Sequence, residues 1–394
     1  MALLRPTPRL LHLLQPEPRA SSASALVTTA GPTALQASEA LRRERLAAAR
    51  QLATQIPGRS FLESAAVLPA TARSYRRFTE AFLEWMVSHS LDFACAEELD
   101  DHVTNYLGEA FFKGMSSSDA AKTVAGIQHH FPKVQRLGSW QIPRTRRVLK
   151  AWAKLAPARQ RLPLPWICLC ALLGWFLAHG HVDGALHLMV QFRTYMRPGV
   201  SDALRASQLV APAPSAGTSY SLWGFNLYPS ELQQPGKTGT LDEAIIYDTE
   251  PWVHKLFVIL LQRSDPESPL WPLRGAALVE LFARAAAHLG LQELAPCRYA
   301  LRHGGASEDL LQRRRSHLEV KRRGGWRTDA SLKRYGKESK LLSELRKVPP
   351  STVEFGRTVD ARLQEFFEQP GLVVPLLPPI IGDIPAGRKR GRAT

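Results

Sequence analysis

Residues 298–337 read RYALRHGGASEDLLQRRRSHLEVKRRGGWRTDASLKRYGK, and this stretch organises the rest of the chain. Carried on to Lys347, it holds 15 Lys or Arg against 6 Asp or Glu, an excess of nine out of a net charge of +16. Charge concentrated in this way makes a local basic face of the kind that meets phosphate backbones. Within it lie Arg302, the Gly324-Gly325-Trp326 turn and, nine residues past the tryptophan, Tyr335. A guanidinium can hold a phosphate through two parallel hydrogen bonds, and a phenol can attack one. The segment therefore predicts DNA strand cleavage.

The totals agree with that direction. A chain of 394 residues with 45% hydrophobic content can build two domains and loose ends. A pI near 10.0 favours a polyanionic partner, nucleic acid before a membrane surface. Cys95, Cys168, Cys170 and Cys297 have neither zinc-ligand spacing nor the density of a disulfide framework, which points to a reducing compartment and no structural metal. The longest apolar run, Trp166 to Ala178, is too short to span a bilayer and predicts a buried core helix.

In chain order, residues 1–58 are rich in Ala, Ser, Pro and Leu and predict a disordered leader with one helix over Ser38 to Gln55. Residues 59–157 predict a small helical bundle. Tyr75, Phe78, Phe82, Trp85 and Met86 share one helical face; Leu99, Val103, Leu107 and Phe111 mark a second. Ser118 and Asp119 can cap a third helix through Val124 and Ile127, and Leu149, Trp152 and Leu155 lie on a fourth. A proline-bearing linker, Ala156 to Pro165, opens the second domain, 158–348. It predicts helices over Trp166–Ala178, Val182–Tyr195, Pro251–Gln262 and Arg274–Leu289, with strand-like runs at Gln208–Ala211, Tyr220–Tyr228 and Glu243–Asp248. Residues 349–394 predict a proline-rich disordered tail, with a helix of mixed polarity over Thr358–Phe367 and a basic GRKRGR end suited to nuclear import or DNA tethering. The fold class expected is mainly α with a small antiparallel β-sheet in the second domain.

Breaking a phosphodiester by transesterification needs a nucleophile, charge on the non-bridging oxygens held in place, and a proton for the departing 5′ oxygen. Arginines meet the second need, a lysine on a hairpin the third, and a tyrosine the first. With these parts in this order the chain resembles a tyrosine recombinase of the phage integrase type, over roughly residues 60–345. Its RPG and RHGGA wording is also similar to recombinases of eukaryotic mobile elements. The resemblance implies an N-terminal core-binding bundle and a C-terminal integrase-like catalytic domain. Arg197 in TYMRPG matches the first catalytic arginine, Lys237 in PGKTG the hairpin lysine, and Arg302 the arginine of His-x-x-Arg. Trp326 matches the second His/Trp position and Tyr335 the nucleophile. It further implies a covalent 3′-phosphotyrosyl intermediate formed without metal or other cofactor, double-stranded DNA as partner, a dimer or tetramer on DNA, and a nuclear or nucleoid location.

Two positions depart from the family pattern. Tyr299 stands where the family has histidine; it can donate a hydrogen bond but carries no positive charge near neutral pH. Val200 stands where an acidic residue usually buttresses the site, although Asp202 or Ser201 could take that part if the turn differs. They leave open a second reading, a DNA-binding protein derived from such an enzyme and catalytically impaired. Beyond the site itself, Arg313, Arg314, Lys321, Arg322 and Arg323 are candidate DNA contacts, as are Arg73, Arg76, Arg77, Arg144 and Arg146 if their solvated face lines DNA.

Overall fold

The structure is a computed structural model that describes residues 40, 42–44, 46–47, 61–64, 66–157, 162–232, 236, 239–294, 296–329 and 338–377. The fold is mainly helical with one three-stranded antiparallel sheet. Two large hydrophobic clusters fill it, one from residues 82–152 and a larger one from residues 164–373, with a small third of Tyr195, Ala306 and Val320.

The first cluster belongs to four helices, α1 (Pro69–Ser88), α2 (Ala96–Phe112), α3 (Ser117–His130) and α4 (Pro143–Leu155). The aromatic faces read from the sequence do point inward: Phe82 packs edge-on to Tyr106 at 5.5 Å, and Phe111 to Trp152 at 5.1 Å. The cap of α3 is Ser116, not Ser118 or Asp119. Its hydroxyl accepts from the Asp119 backbone N–H at 3.1 Å, so the cap lies two residues before Ser118.

Around the second cluster run α5 (Trp166–Ala178), α6 (Val182–Thr194), α7 (Pro198–Ala203), strands β1 (Leu209–Val210), β2 (Trp223–Leu227) and β3 (Glu243–Tyr247), then α8 (Val253–Arg263) and α9 (Gly275–His288). Every residue of α5 from Cys168 to Leu177 is buried, which explains its unbroken apolar run, and both of its cysteines are free thiols. The strands lie in the order β1-β2-β3, with Phe225 opposite Ile245 and Leu209. No helix of the described residues is long and apolar enough to cross a membrane.

The basic stretch forms α10 (Arg298–Leu311) and α11 (His317–Arg323), the latter opened by a capping box between Ser316 and Glu319. After α12 (Glu338–Leu345) the structure corrects the expected tail. Residues 350–368 form α13 (Pro350–Ala361) and α14 (Leu363–Glu368), with Pro350 at the first helical turn. Val359, Leu363, Phe366 and Phe367 are buried in the second cluster, each burial contributing about 1.5–3 kcal/mol. Asp360 accepts from the Trp166 indole at 2.7 Å, and Thr352 donates to the Leu289 carbonyl at 2.7 Å. The prolines that looked like the start of disorder start a helix instead, because proline fits the first turn of a helix. The leader other than residues 40, 42–44 and 46–47, and the GRKRGR end, lie outside the described residues.

Candidate active site

A cavity of about 180 Å³ opens where α7, the ends of β2 and β3, α10 and the turn after α11 converge. It is lined by Arg197, Arg302, Arg322 and Arg323 against a single carboxylate, Glu243. Arg197 and Arg302 are 105 residues apart in sequence. The fold brings these two expected phosphate-binding arginines to one concave, electropositive spot, where low-dielectric walls strengthen any attraction for an anion.

Arg302 is held tightly. It projects from α10 and is only 3% exposed. Its terminal nitrogens donate to the Tyr195 and Gly324 carbonyls, and its guanidinium carbon lies 4.6 Å from the centre of the Trp326 ring. Trp326 is itself absent from the cavity wall; it backs the arginine from behind, with Tyr195 stacked 6.3 Å beyond at an interplanar angle of 25°. The glycine pair after His303 makes this position possible. A Cβ on Gly304 would come 2.1 Å from the Leu164 carbonyl oxygen and one on Gly305 2.0 Å from that of Phe192, so only glycines let α10 lie flush against α6.

Arg197 caps α7 and is half-buried. Its surroundings answer the question raised by Val200. That valine lines the cavity and packs against the core, and the carboxylate in the same wall is Glu243 of β3. Asp202 instead binds Arg298, its two oxygens 2.7 and 2.8 Å from one guanidinium nitrogen. Arg298 also donates to Gln191 at 2.8 Å and lies 3.1 Å from the His187 ring nitrogen, which in turn meets the Ser201 hydroxyl at 2.8 Å. Gln191 donates back to the Arg298 carbonyl at 3.1 Å. The network ties α6, α7 and α10 together one turn behind Arg302. Burial, and then the charge of Arg298, push the His187 imidazole down to about 3, so it is neutral.

A second charged network lies on the other side of Arg302. The Tyr195 hydroxyl donates to Asp309, which also pairs with Arg315; Arg315 reaches Asp248 at 2.5 Å. Burial, reinforced by Asp309, raises the Tyr195 phenol well above its usual range. Tyr195 has a positive φ of 54° at the end of α6, a conformation that this anchoring and the Arg302 hydrogen bond hold in place. Arg193 pairs with Glu250 at 2.6 Å and stacks on Trp166 at 3.7 Å.

The other expected residues divide. Lys237 and Tyr335 lie outside the described residues, although Gly236, the neighbour of Lys237, rests on the ring of Tyr228 in the cavity wall. Tyr299 is not in the wall: one turn before Arg302, its ring sits 5.5 Å from that of His303. Arg323 lines the cavity; it donates to the Arg193 and Ile246 carbonyls, and burial lowers its pKa. Lys321 pairs with Asp329 at 2.6 Å. Arg313, Arg314 and Arg322 are exposed. So are Arg73, Arg76, Arg77, Arg144 and Arg146, of which Arg144 pairs with Asp101 and Arg146 donates to Gln141 at 3.1 Å. Sequence reasoning missed Arg298, Asp309 and Tyr228, which carry no motif; Tyr195 stood beside the motif without an assigned part, and Asp202, a candidate buttress in place of Val200, holds Arg298.

A search of protein-family models finds no match to this chain, and a search of the curated proteins finds none either.

Proposed function

We propose that the chain is a tyrosine recombinase that cleaves and rejoins DNA through the cavity between Arg197 and Arg302. In this reading the Tyr335 oxygen attacks the scissile phosphorus, its phenol proton passing to solvent, and forms a 3′-phosphotyrosyl ester as the bond to the 5′ oxygen breaks. The departing oxygen takes its proton from Lys237. Arg197 and Arg302 neutralise the non-bridging oxygens, with Trp326 fixing Arg302 from behind. Both helical regions would clamp double-stranded DNA, and two or four copies would assemble across paired sites in a nucleus or nucleoid. Rejoining is the reverse attack by a 5′ hydroxyl, which needs no energy source because the ester conserves the bond.

The observation that carries the reading is the meeting of Arg197 and Arg302 in one electropositive cavity beside the Gly-Gly-Trp turn. A different observation favours the catalytically impaired, DNA-binding reading. Both terminal nitrogens of Arg302 already donate to backbone carbonyls, so the guanidinium has fewer directions left for a phosphate.

One experiment separates the two. Purified protein is incubated with negatively supercoiled plasmid and with nicked suicide duplexes, without magnesium, and protein–DNA adduct resistant to SDS is measured. The recombinase reading expects adduct that disappears in Tyr335→Phe and falls by about 100-fold or more in Arg302→Ala. Salt-sensitive binding with no adduct on either substrate, identical in Tyr335→Phe, would leave only the binding role.

A further inference from the structure

We propose that Asp309 is a positioning residue of this site: acting through Tyr195, it holds the Arg302 guanidinium in the cavity. The purpose of that hold rests on the strand-cleavage reading; its geometry does not.

Arg302, Ala306 and Asp309 stand at i, i+4 and i+7 of α10 and so share one face of that helix. All three are buried, Arg302 at 3% and Asp309 at 2% exposure. Tyr195, at the end of α6, lies along this face. Its carbonyl accepts from one terminal nitrogen of Arg302, and its hydroxyl donates to Asp309. Between those two ends it forms one buried cluster with Ala306 and with Val320 of α11. Gly305 leaves the room its ring needs: a Cβ there would come 2.8 Å from the ring's Cδ1. The tyrosine thus joins Arg302 to Asp309 across two turns of helix.

The Tyr195 backbone is left-handed, with a φ of 54°, a conformation that an aromatic residue keeps only where its surroundings impose it. The hydroxyl end supplies the constraint. A carboxylate buried this deeply is retained where donors face it, and Asp309 is faced by the Tyr195 hydroxyl and the Arg315 guanidinium. Arg315 in turn lies 2.5 Å from Asp248, the residue after β3, which Arg323 of α11 also approaches at 3.3 Å. Asp309 therefore ties α10 to the end of α6, the approach to α11 and the end of β3, and residues of these same elements wall the cavity. Trp326 closes the assembly. Its ring stacks on Tyr195 at 6.3 Å and lies 4.6 Å from the Arg302 guanidinium carbon. A tyrosine without its hydroxyl anchor can turn, and the carbonyl and indole that fix Arg302 turn with it. Arg298 gives an internal standard: it is 4% exposed on the same helix, but Asp202, Gln191 and His187 hold it.

The test uses the full chain with Tyr195→Phe, which removes only the hydroxyl, and with Asp309→Ala and Asp309→Asn. Without DNA, the rates at which phenylglyoxal modifies Arg302 and Arg298 are followed by peptide mass spectrometry. Tyr195→Phe should raise the Arg302 rate by about tenfold, the weight of one hydrogen bond to a charged group, and leave the Arg298 rate unchanged. Asp309→Ala should raise it at least as far. Asp309→Asn, whose amide oxygen still accepts from the phenol, should fall between Asp309→Ala and wild type. An Arg302 rate in Tyr195→Phe equal to wild type overturns the proposal, whether or not Asp309→Ala folds. So does an Arg298 rate that rises as far as that of Arg302, because general loosening exposes both.

On nicked suicide duplexes Tyr195→Phe should slow adduct formation by about tenfold while the Kd for DNA stays constant. Normal adduct formation by Tyr195→Phe, with the Arg302 rate raised, overturns the positioning role. A wild type that makes no adduct, yet shows the Arg302 response, overturns strand cleavage and leaves the hold of Asp309 on Arg302 standing.

Discussion

The two hydrophobic clusters differ in what they bury. Among the described residues of 66–157, one charged side chain is buried, Asp100, and it accepts from two backbone N–H groups at the start of α4, those of Arg144 at 2.8 Å and Thr145 at 2.7 Å. The remaining charges of that bundle face solvent. In the larger cluster Arg193, Arg298, Arg302 and Asp309 are buried, with His187 and Gln191 beside them. Burying charge costs several kcal/mol per ion, and apolar replacements often hold a fold as well or better. The bundle is built as a helical scaffold with a solvated basic surface. The second region spends stability on fixed guanidinium groups, and one of them, Arg302, lines the cavity where the expected phosphate contacts meet.

The largest test of that contrast removes one member of the buried network. Arg298→Met should destabilise the chain by about 3–5 kcal/mol, read by urea unfolding, because Asp202, His187 and Gln191 lose their common partner. A loss below about 1 kcal/mol would mean the network is not needed for folding.

Acid sharpens the same point. The unfolded chain protonates His187 near 6.5, whereas the folded chain does so only near 3. Between those values the unfolded state binds more protons, so this residue makes stability fall as pH drops from about 6.5 to about 3. Thermal melts of wild type and His187→Asn across that window should converge towards the acid end. Parallel curves would remove His187 from the acid response.

In the bundle the expected effects are smaller. Asp100→Ala should cost about 1–2 kcal/mol by urea unfolding, the loss of a helix cap supplied from a neighbouring helix. Smallest of all, Arg77→Ala and Arg313→Ala should each change stability by less than about 0.5 kcal/mol. If those exposed faces meet DNA, each should lower the salt dependence of binding by about one unit of slope. An unchanged slope would take that arginine off the DNA.

Much of this was legible from pattern alone. The four bundle helices, the buried run of α5, the strands and the arginine-bearing turn before α7 follow from 3.6- and 2-residue periodicities and from Pro198 at a helix start. The electrostatic partners were not legible. Nothing in sequence distinguishes Arg298, buried against Asp202, from Arg313, which is exposed, because periodicity records hydrophobic faces and is silent on which cation faces which anion. Arg323 shows the same: it belongs to a basic run, and only the fold sets its side chain against the Arg193 and Ile246 carbonyls in the cavity wall.

By itself, the sequence determined a basic, mainly helical chain with a small antiparallel sheet, and the arginine-rich stretch that suggested phosphate chemistry. The tertiary structure alone decided that Arg197 and Arg302 share a cavity, that Tyr195 and Tyr228 but not Tyr299 line its wall, and that residues 350–368 complete the core. Local propensity acts over a few residues of chain. Charge pairing and cavity walls are made between residues some 100 positions apart, where only the packed fold determines who meets whom.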